Sequence, residues 1–106
     1  MSDKKKMGDG GVDLKDKEDI KIQKPRKYKV VFHNDDFTPM DFVVIALVAI
    51  FRKSTEEAFR IMMNVHEKGR GIAGVYPKGI AETKIDKAMT FTKSMGFPFL
   101  LTLEKE

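Results

Sequence analysis

Apolar positions are sparse over residues 1–24, "MSDKKKMGDGGVDLKDKEDIKIQK", where charges alternate in sign. Such a stretch buries too little apolar surface to offset the entropy of ordering, so it reads as a flexible N-terminal extension. It is either a passive tail or an arm laid over a partner. Pro25 marks its edge with a domain spanning residues 25–106. There, "KYKVVFHN" is rich in Val and aromatic residues, ends in turn formers and reads as a strand. Thr38-Pro39 looks like a helix start. Thr38 can cap, Pro39 suits the first helical position, and Asp41 stands three after Thr38 as in a capping box. The helix it opens, "MDFVVIALVAIF", is apolar nearly all round, which predicts that it is deeply buried or covered by neighbours.

Ser54 and Glu57 make a second capping box. The helix behind it carries Ala58, Ile61, Met62 and Val65 at helical spacing and stops at Gly69. "GIAGVYP" reads as a short strand ended by Pro77. A third helix sets Ala81, Ile85, Ala88, Met89 and Thr92 on one face and Glu82, Lys84, Asp86 and Lys87 on a charged face. Gly96 ends it, and Pro98 blocks continuation. "FLLTLE" is the last strand. The order β-α-α-β-α-β predicts an α/β two-layer sandwich of the α+β type, a three-stranded antiparallel sheet with three helices on one face.

Composition narrows the chemistry. The chain has 106 residues, one domain's worth, and no cysteine, which removes disulfides, zinc thiolates and thiol nucleophiles together and fits a reducing, cytoplasmic compartment. "FVVIALVAIF", at ten residues, falls short of the ~18 that a membrane helix needs, so no membrane contact is expected. The net charge of +4 divides as +1 over residues 1–24 (seven Lys against six acids) and +3 over the rest (thirteen basic against ten acidic). No concentrated basic patch interleaved with aromatics results, which argues against nucleic acid as a partner.

One stretch invites a sharper reading. "HNDDFTPMDF" sets Asn34, Asp35 and Asp36 side by side at the mouth of the core. They serve a turn, or they receive a cation. Met40 and Val43 lie one turn into the first helix, and Met62, Val65 and His66 share one side of the second. If these faces meet, a small apolar hole opens beside Asn34, Asp35, Asp36 and His66, which is how ligand sites are commonly built. At the same spacing the four apolar residues also suit plain core. A hydrolase using Asp35, Asp36 and His66 lacks a readable nucleophile and oxyanion site. A metal site of His33, Asp35, Asp36 and His66 has suitable ligand types without a recognised spacing.

"NDDFTPMDFV", "VHEKGRGIAGVY", "AETK" and "LTLEKE" resemble, in this order, the ClpS family, adaptors of the ClpA–ClpP protease. The likeness runs from Pro25 to the C-terminus. It implies a non-enzymatic adaptor, without cofactor, that binds N-degron proteins and peptides. These begin with a bulky apolar residue, Leu, Phe, Tyr or Trp, and are passed to the N-terminal domain of ClpA. On this resemblance Asn34, Asp35, Asp36 and His66 receive the α-amino group. Phe32, His33, Thr38, Met40, Val43, Met62, Val65 and Phe99 wall the side-chain pocket, with Met40 as the gatekeeper that rejects β-branched residues. Glu82, Thr83 and Lys84 belong to the ClpA-docking surface, and the extension serves delivery. His33 and Phe99 stand where aliphatic residues are usual, Phe32 is larger than the usual residue, and Gly79 replaces a common acidic one.

The chemistry suits that task. A free α-amino group has a pKa near ~7.7–8.0, so at neutral pH it is an ammonium with three donors and no acceptor. Carboxylates, a carboxamide oxygen and an uncharged imidazole nitrogen are acceptors.

Overall fold

The computed structural model describes residues 26–106. The expected N-terminal extension over residues 1–24 lies outside them. Three strands and three helices follow in the order β1 (Lys27–His33), α1 (Met40–Ala49), α2 (Thr55–Lys68), β2 (Arg70–Pro77), α3 (Lys78–Met95) and β3 (Leu100–Lys105). The strand order is β2-β1-β3, antiparallel throughout. This is the expected α+β fold with its β-α-α-β-α-β order. No described helix is long and apolar enough to cross a membrane.

Strand alternation decides which face meets the helices. Val30 and Phe32 join the core cluster with Leu47, Phe51, Ala58, Ile61, Ala81 and Ala88, whereas the equally buried Val31 does not. The helices therefore cover the Val30–Phe32 face. α3 touches all three strands, α2 lies on β2, and α1 packs chiefly on α2. A relay of aromatic rings fills the middle. Phe32 meets Phe51 at 5.3 Å and Phe99 at 5.0 Å, edge to face, and Phe42 meets Phe97 at 4.9 Å. Such pairs add about 0.5–1.5 kcal/mol each beyond the area they bury. Between β1 and β2 the register steps from Val30↔Gly74 to Val31↔Ile72, leaving the buried Ala73 as a bulge.

The helix ends show which local signals held. Ser54 caps α2, its hydroxyl accepting from Glu57 N–H at 3.1 Å, and Gly69 closes the helix at φ 87°. The reciprocal half of that box is not made, because the Glu57 carboxylate turns to Arg60. Gly96 ends α3 at φ 76°. At α1 the expectation is corrected. The helix begins at Met40, and Pro39 stands at the cap with no side-chain hydrogen bond. Thr38 does not cap, because it stands one residue before Pro39, and its hydroxyl instead donates to Asp35 Oδ2 at 2.8 Å. The far end stops at Ala49, before Phe51.

Two further expectations change. α1 is not covered all round. Phe42, Val43, Ala46 and Leu47 are buried, but Met40, Ile45 and Val48 are 45%, 52% and 39% exposed. The sheet is only three strands wide, and α2 and α3 occupy its face, so α1 is left with an open outer side. Lys84 is not simply part of a solvated charged face. Its ammonium donates to Ile50 O at 3.0 Å and lies 5.3 Å from the Tyr76 ring centre and 6.0 Å from that of Phe51. α1 has no basic residue in its own last turn, so Lys84 supplies from α3 the cation that a helix C-terminus favours.

Candidate functional site

The turn between β1 and α1 is built by one carboxylate. Asp35 Oδ1 accepts from the backbone N–H of Phe37 at 2.8 Å and of Thr38 at 2.7 Å, while Oδ2 accepts the Thr38 hydroxyl. Partial burial opposes ionisation of Asp35, but these three hydrogen bonds outweigh it and hold the carboxyl below its usual range. Both Asp35 oxygens are thus engaged in the turn. Asp36 is exposed, and among the described residues its carboxylate accepts no hydrogen bond.

A backbone bond fixes where this turn sits. Asn34 N–H donates to Gly69 O at 2.9 Å, clamping the turn to the C-terminal end of α2. His66 lies in the last turn of α2, exposed, three residues before Gly69. Met62 is one helical turn before His66. Met40 opens α1 directly after the turn. Chain geometry therefore gathers Asn34, Asp36, His66, Met40 and Met62 at one end of the α1–α2 pair.

From that end an apolar groove of about 560 Å³ runs between the two helices. Met40, Val44 and Ile45 of α1 and Phe59, Met62 and Met63 of α2 line it, with Asp41 as the one charged residue. Met62 also belongs to the core cluster, at 5% exposure, and the other expected wall residues are not part of the groove's lining. Val43 and Val65 are buried in the core at 5% and 2% exposure, and Phe32 and Phe99 at 0% and 2% form part of the aromatic relay. Thr38 braces the turn through Asp35. The structure does not bring His33 to the helices. It alternates onto the Val31 face of β1, where its Nε2 lies 2.7 Å from Thr102 Oγ1 of β3. Near the expected docking surface, Glu82 and Thr83 are exposed on α3, and the Thr83 hydroxyl donates to Gly79 O at 3.0 Å.

Sequence reasoning missed Val44, Ile45, Phe59 and Met63. A signal was present for the last two. Phe59 and Met63 are four apart, a second apolar ridge beside the Ala58–Ile61–Met62–Val65 stripe that packs inward. A second groove, of about 570 Å³ between α2 and β2, includes Lys53, Arg60, Lys68 and Arg70 in its lining. It is not a bare cationic stripe. Glu57 pairs with Arg60, and Glu104 accepts both bonds from Arg70 at 2.7 Å. Among the described residues, no group of three or more His, Cys, Asp or Glu is placed to hold a metal ion.

An apolar recess beside a turn of exposed polar side chains, on a small two-layer domain, has the make-up of a binding site. The comparisons agree. Residues 23–102 match the family described as "ATP-dependent Clp protease adaptor protein ClpS". The ATP-dependent Clp protease adapter protein ClpS of Oleidesulfovibrio alaskensis is 45% identical over 105 residues, 99% of each chain. Its counterpart in Desulfatibacillum aliphaticivorans is 49% identical over 86 residues, covering 81% of this chain and 83% of that one. The solved structure of Agrobacterium tumefaciens ClpS2 bound to L-phenylalaninamide is similar at a TM-score of 0.75 and 42% identity, spanning 78% of this chain and all of the other. The chain belongs to the ClpS family, the non-catalytic adaptors of the ATP-dependent Clp protease.

Proposed function

We propose that this adaptor recognises proteins by a bulky apolar N-terminal residue, Leu, Phe, Tyr or Trp, together with its free α-amino group, and delivers them to the N-terminal domain of ClpA. The observation that carries this reading is the apolar groove whose Met40–Met62 end adjoins the acceptor-rich turn and His66. The first side chain enters between Met40 and Met62. The ammonium is received by Asn34, Asp36 and His66, on a turn that Asp35 holds in shape. The related ClpS2 binds L-phenylalaninamide, a single residue with a free amine and a bulky ring, which is the ligand chemistry proposed here. Phe32 and Phe99 pack on each other in the core, so their bulk supports the floor and leaves the groove its width.

The energies are adequate. Burying a Leu or Phe side chain contributes about 1.5–3 kcal/mol. Each hydrogen bond to the ammonium contributes a similar ~1.5–3 kcal/mol. Lost translational and rotational freedom offsets part of that sum, leaving an affinity near the micromolar range, about −8 kcal/mol. Both halves are required, so an internal Leu or an acetylated amine fails to bind. Docking on ClpA uses the α3 surface at Glu82, Thr83 and Lys84, with Lys84 held rigid by Ile50 O and two rings.

Fluorescence anisotropy tests the reading with a labelled peptide starting with Phe, its N-acetylated twin and a twin starting with Ile. Binding of the free Phe peptide alone is expected. Equal binding of all three would show a nonspecific basic domain instead.

A further inference from the structure

The groove is longer than one side chain needs. Met40, Met62 and Met63 occupy one end, while Val44, Ile45 and Phe59 line the remainder. Ile45 and Phe59 are 52% and 56% exposed, so this far end is surface that the domain itself leaves uncovered. We propose that it is a second subsite, which takes an apolar side chain at the third residue of the bound chain. The proposal rests on the N-terminal recognition set out above.

Spacing selects the third residue. From Met40 to Ile45 α1 advances five residues, about 7.5 Å along its axis. In an extended peptide, residues one and three point the same way and are separated by about 6.6 Å. Residue two points away from the groove. A chain anchored by its amine at Asn34, Asp36 and His66, with its first side chain at Met40 and Met62, therefore sets its third side chain over Ile45 and Phe59. Continuity through Met40 and Met62 favours the client over other occupants. β1 reaches the site at its His33 end, and Lys27 stands about 20 Å away along the strand.

The test uses the full chain and four labelled peptides with free amines or, in the last case, a blocked one: Phe-Gly-Gly-Gly, Phe-Leu-Gly-Gly, Phe-Gly-Leu-Gly and N-acetylated Phe-Gly-Leu-Gly. Leucine at the peptide's third position is expected to tighten binding about five- to tenfold over the all-glycine peptide, as for a side chain half withdrawn from water. Leucine at the second position is expected to change it less than about twofold. Phe59→Ser and Ile45→Ser, both at exposed positions, are expected to erase the third-position gain, so that each variant binds Phe-Gly-Leu-Gly no more tightly than Phe-Gly-Gly-Gly. The subsite is overturned by no gain from leucine at the third position, by an equal gain from leucine at the second, or by a third-position gain that survives both substitutions. So is it by a concentration-dependent dimer that Phe59→Ser dissolves, which would assign the far end to a second copy of the chain. Binding of the acetylated peptide as tightly as the free one would instead refute the N-terminal reading, which separates the two failures.

Discussion

Asp35 and Asp36 are adjacent carboxylates with different work, and substituting each with alanine separates them. Asp35→Ala removes three hydrogen bonds, two to backbone N–H groups and one to the Thr38 hydroxyl, at 2.7–2.8 Å. Bonds to a charged acceptor contribute up to about 1.5–3 kcal/mol each when buried. Here the turn is only partly buried and water replaces much of the loss, so the net cost is close to that of removing a helix cap, about 1–2 kcal/mol. For a domain of this size that corresponds to a Tm lower by roughly 4–15 °C. The pH dependence has a definite sign. A carboxyl whose folded pKa is depressed stabilises the fold above its unfolded pKa, near ~3.9, and that stabilisation is lost as pH falls through the lower folded value. The gap in Tm between the parent and Asp35→Ala should therefore be full at pH 7 and close as pH falls below about 4. Asp36→Ala, at an exposed side chain, should shift stability by less than about 0.5 kcal/mol. Both variants should bind a Phe-initiated peptide more weakly. Thermal melts by circular dichroism from pH 3 to 7, with anisotropy at pH 7, read all of this. If Asp35→Ala melts with the parent at pH 7, or Asp36→Ala melts as early as Asp35→Ala, the division into scaffold and acceptor is wrong.

Other perturbations test separate steps. Met40→Ala should admit peptides starting with Ile or Val at little cost in stability, since Met40 is 45% exposed, and an unchanged preference in anisotropy counts against Met40 as selector. Peptide affinity should fall as pH rises above about 8, because the α-amino group loses its proton, and a flat profile to pH 9.5 would remove the ammonium from the account. Gly71→Ala should destabilise by about 1–3 kcal/mol in urea unfolding, because its Cβ would stand 2.8 Å from Val65 Cγ2 and 3.3 Å from Ile61 O. Arg52→Gly should raise stability by about 1 kcal/mol, because Arg52 holds a left-handed φ of 56° that a side chain disfavours, and a lower urea midpoint would show that its side chain contributes more than the backbone costs.

What the sequence disclosed followed the range of the interactions. Ser54, Gly69 and Gly96 act within one helical turn, and each took the place its local pattern predicts. The inward stripe of α2 was equally legible, since period 3.6 names the buried face without knowledge of what lies beneath. Thr38 misled because the helix starts one residue later than its pattern suggests, with Pro39 at the cap, and the Thr38 hydroxyl turns back to the Asp35 carboxylate. Lys84 misled because its partner, Ile50 O, is 34 residues away. The turn residues and the paired Met40 and Met62 were readable as a candidate site. The rest of the groove was not, since exposure on a helix depends on which face the sheet leaves free.

The outer side of α1 is the clearest case. A helix apolar on every side is a demand for cover, and read from the sequence alone the demand is met within the fold. In the structure β1, β2 and β3 offer one face, α2 and α3 occupy it, and α1 rests on α2 with Met40, Ile45 and Val48 still facing outward. An uncovered apolar strip costs solubility and gains the protein nothing as a free-standing domain. It does suit an adaptor that holds another chain, because the cover is then supplied only while a client is bound. On the reading proposed above, the polar turn at one end decides who qualifies, by requiring a free amine. The strip itself asks only that the side chains be apolar and, at the first position, unbranched at Cβ so that Met40 admits them.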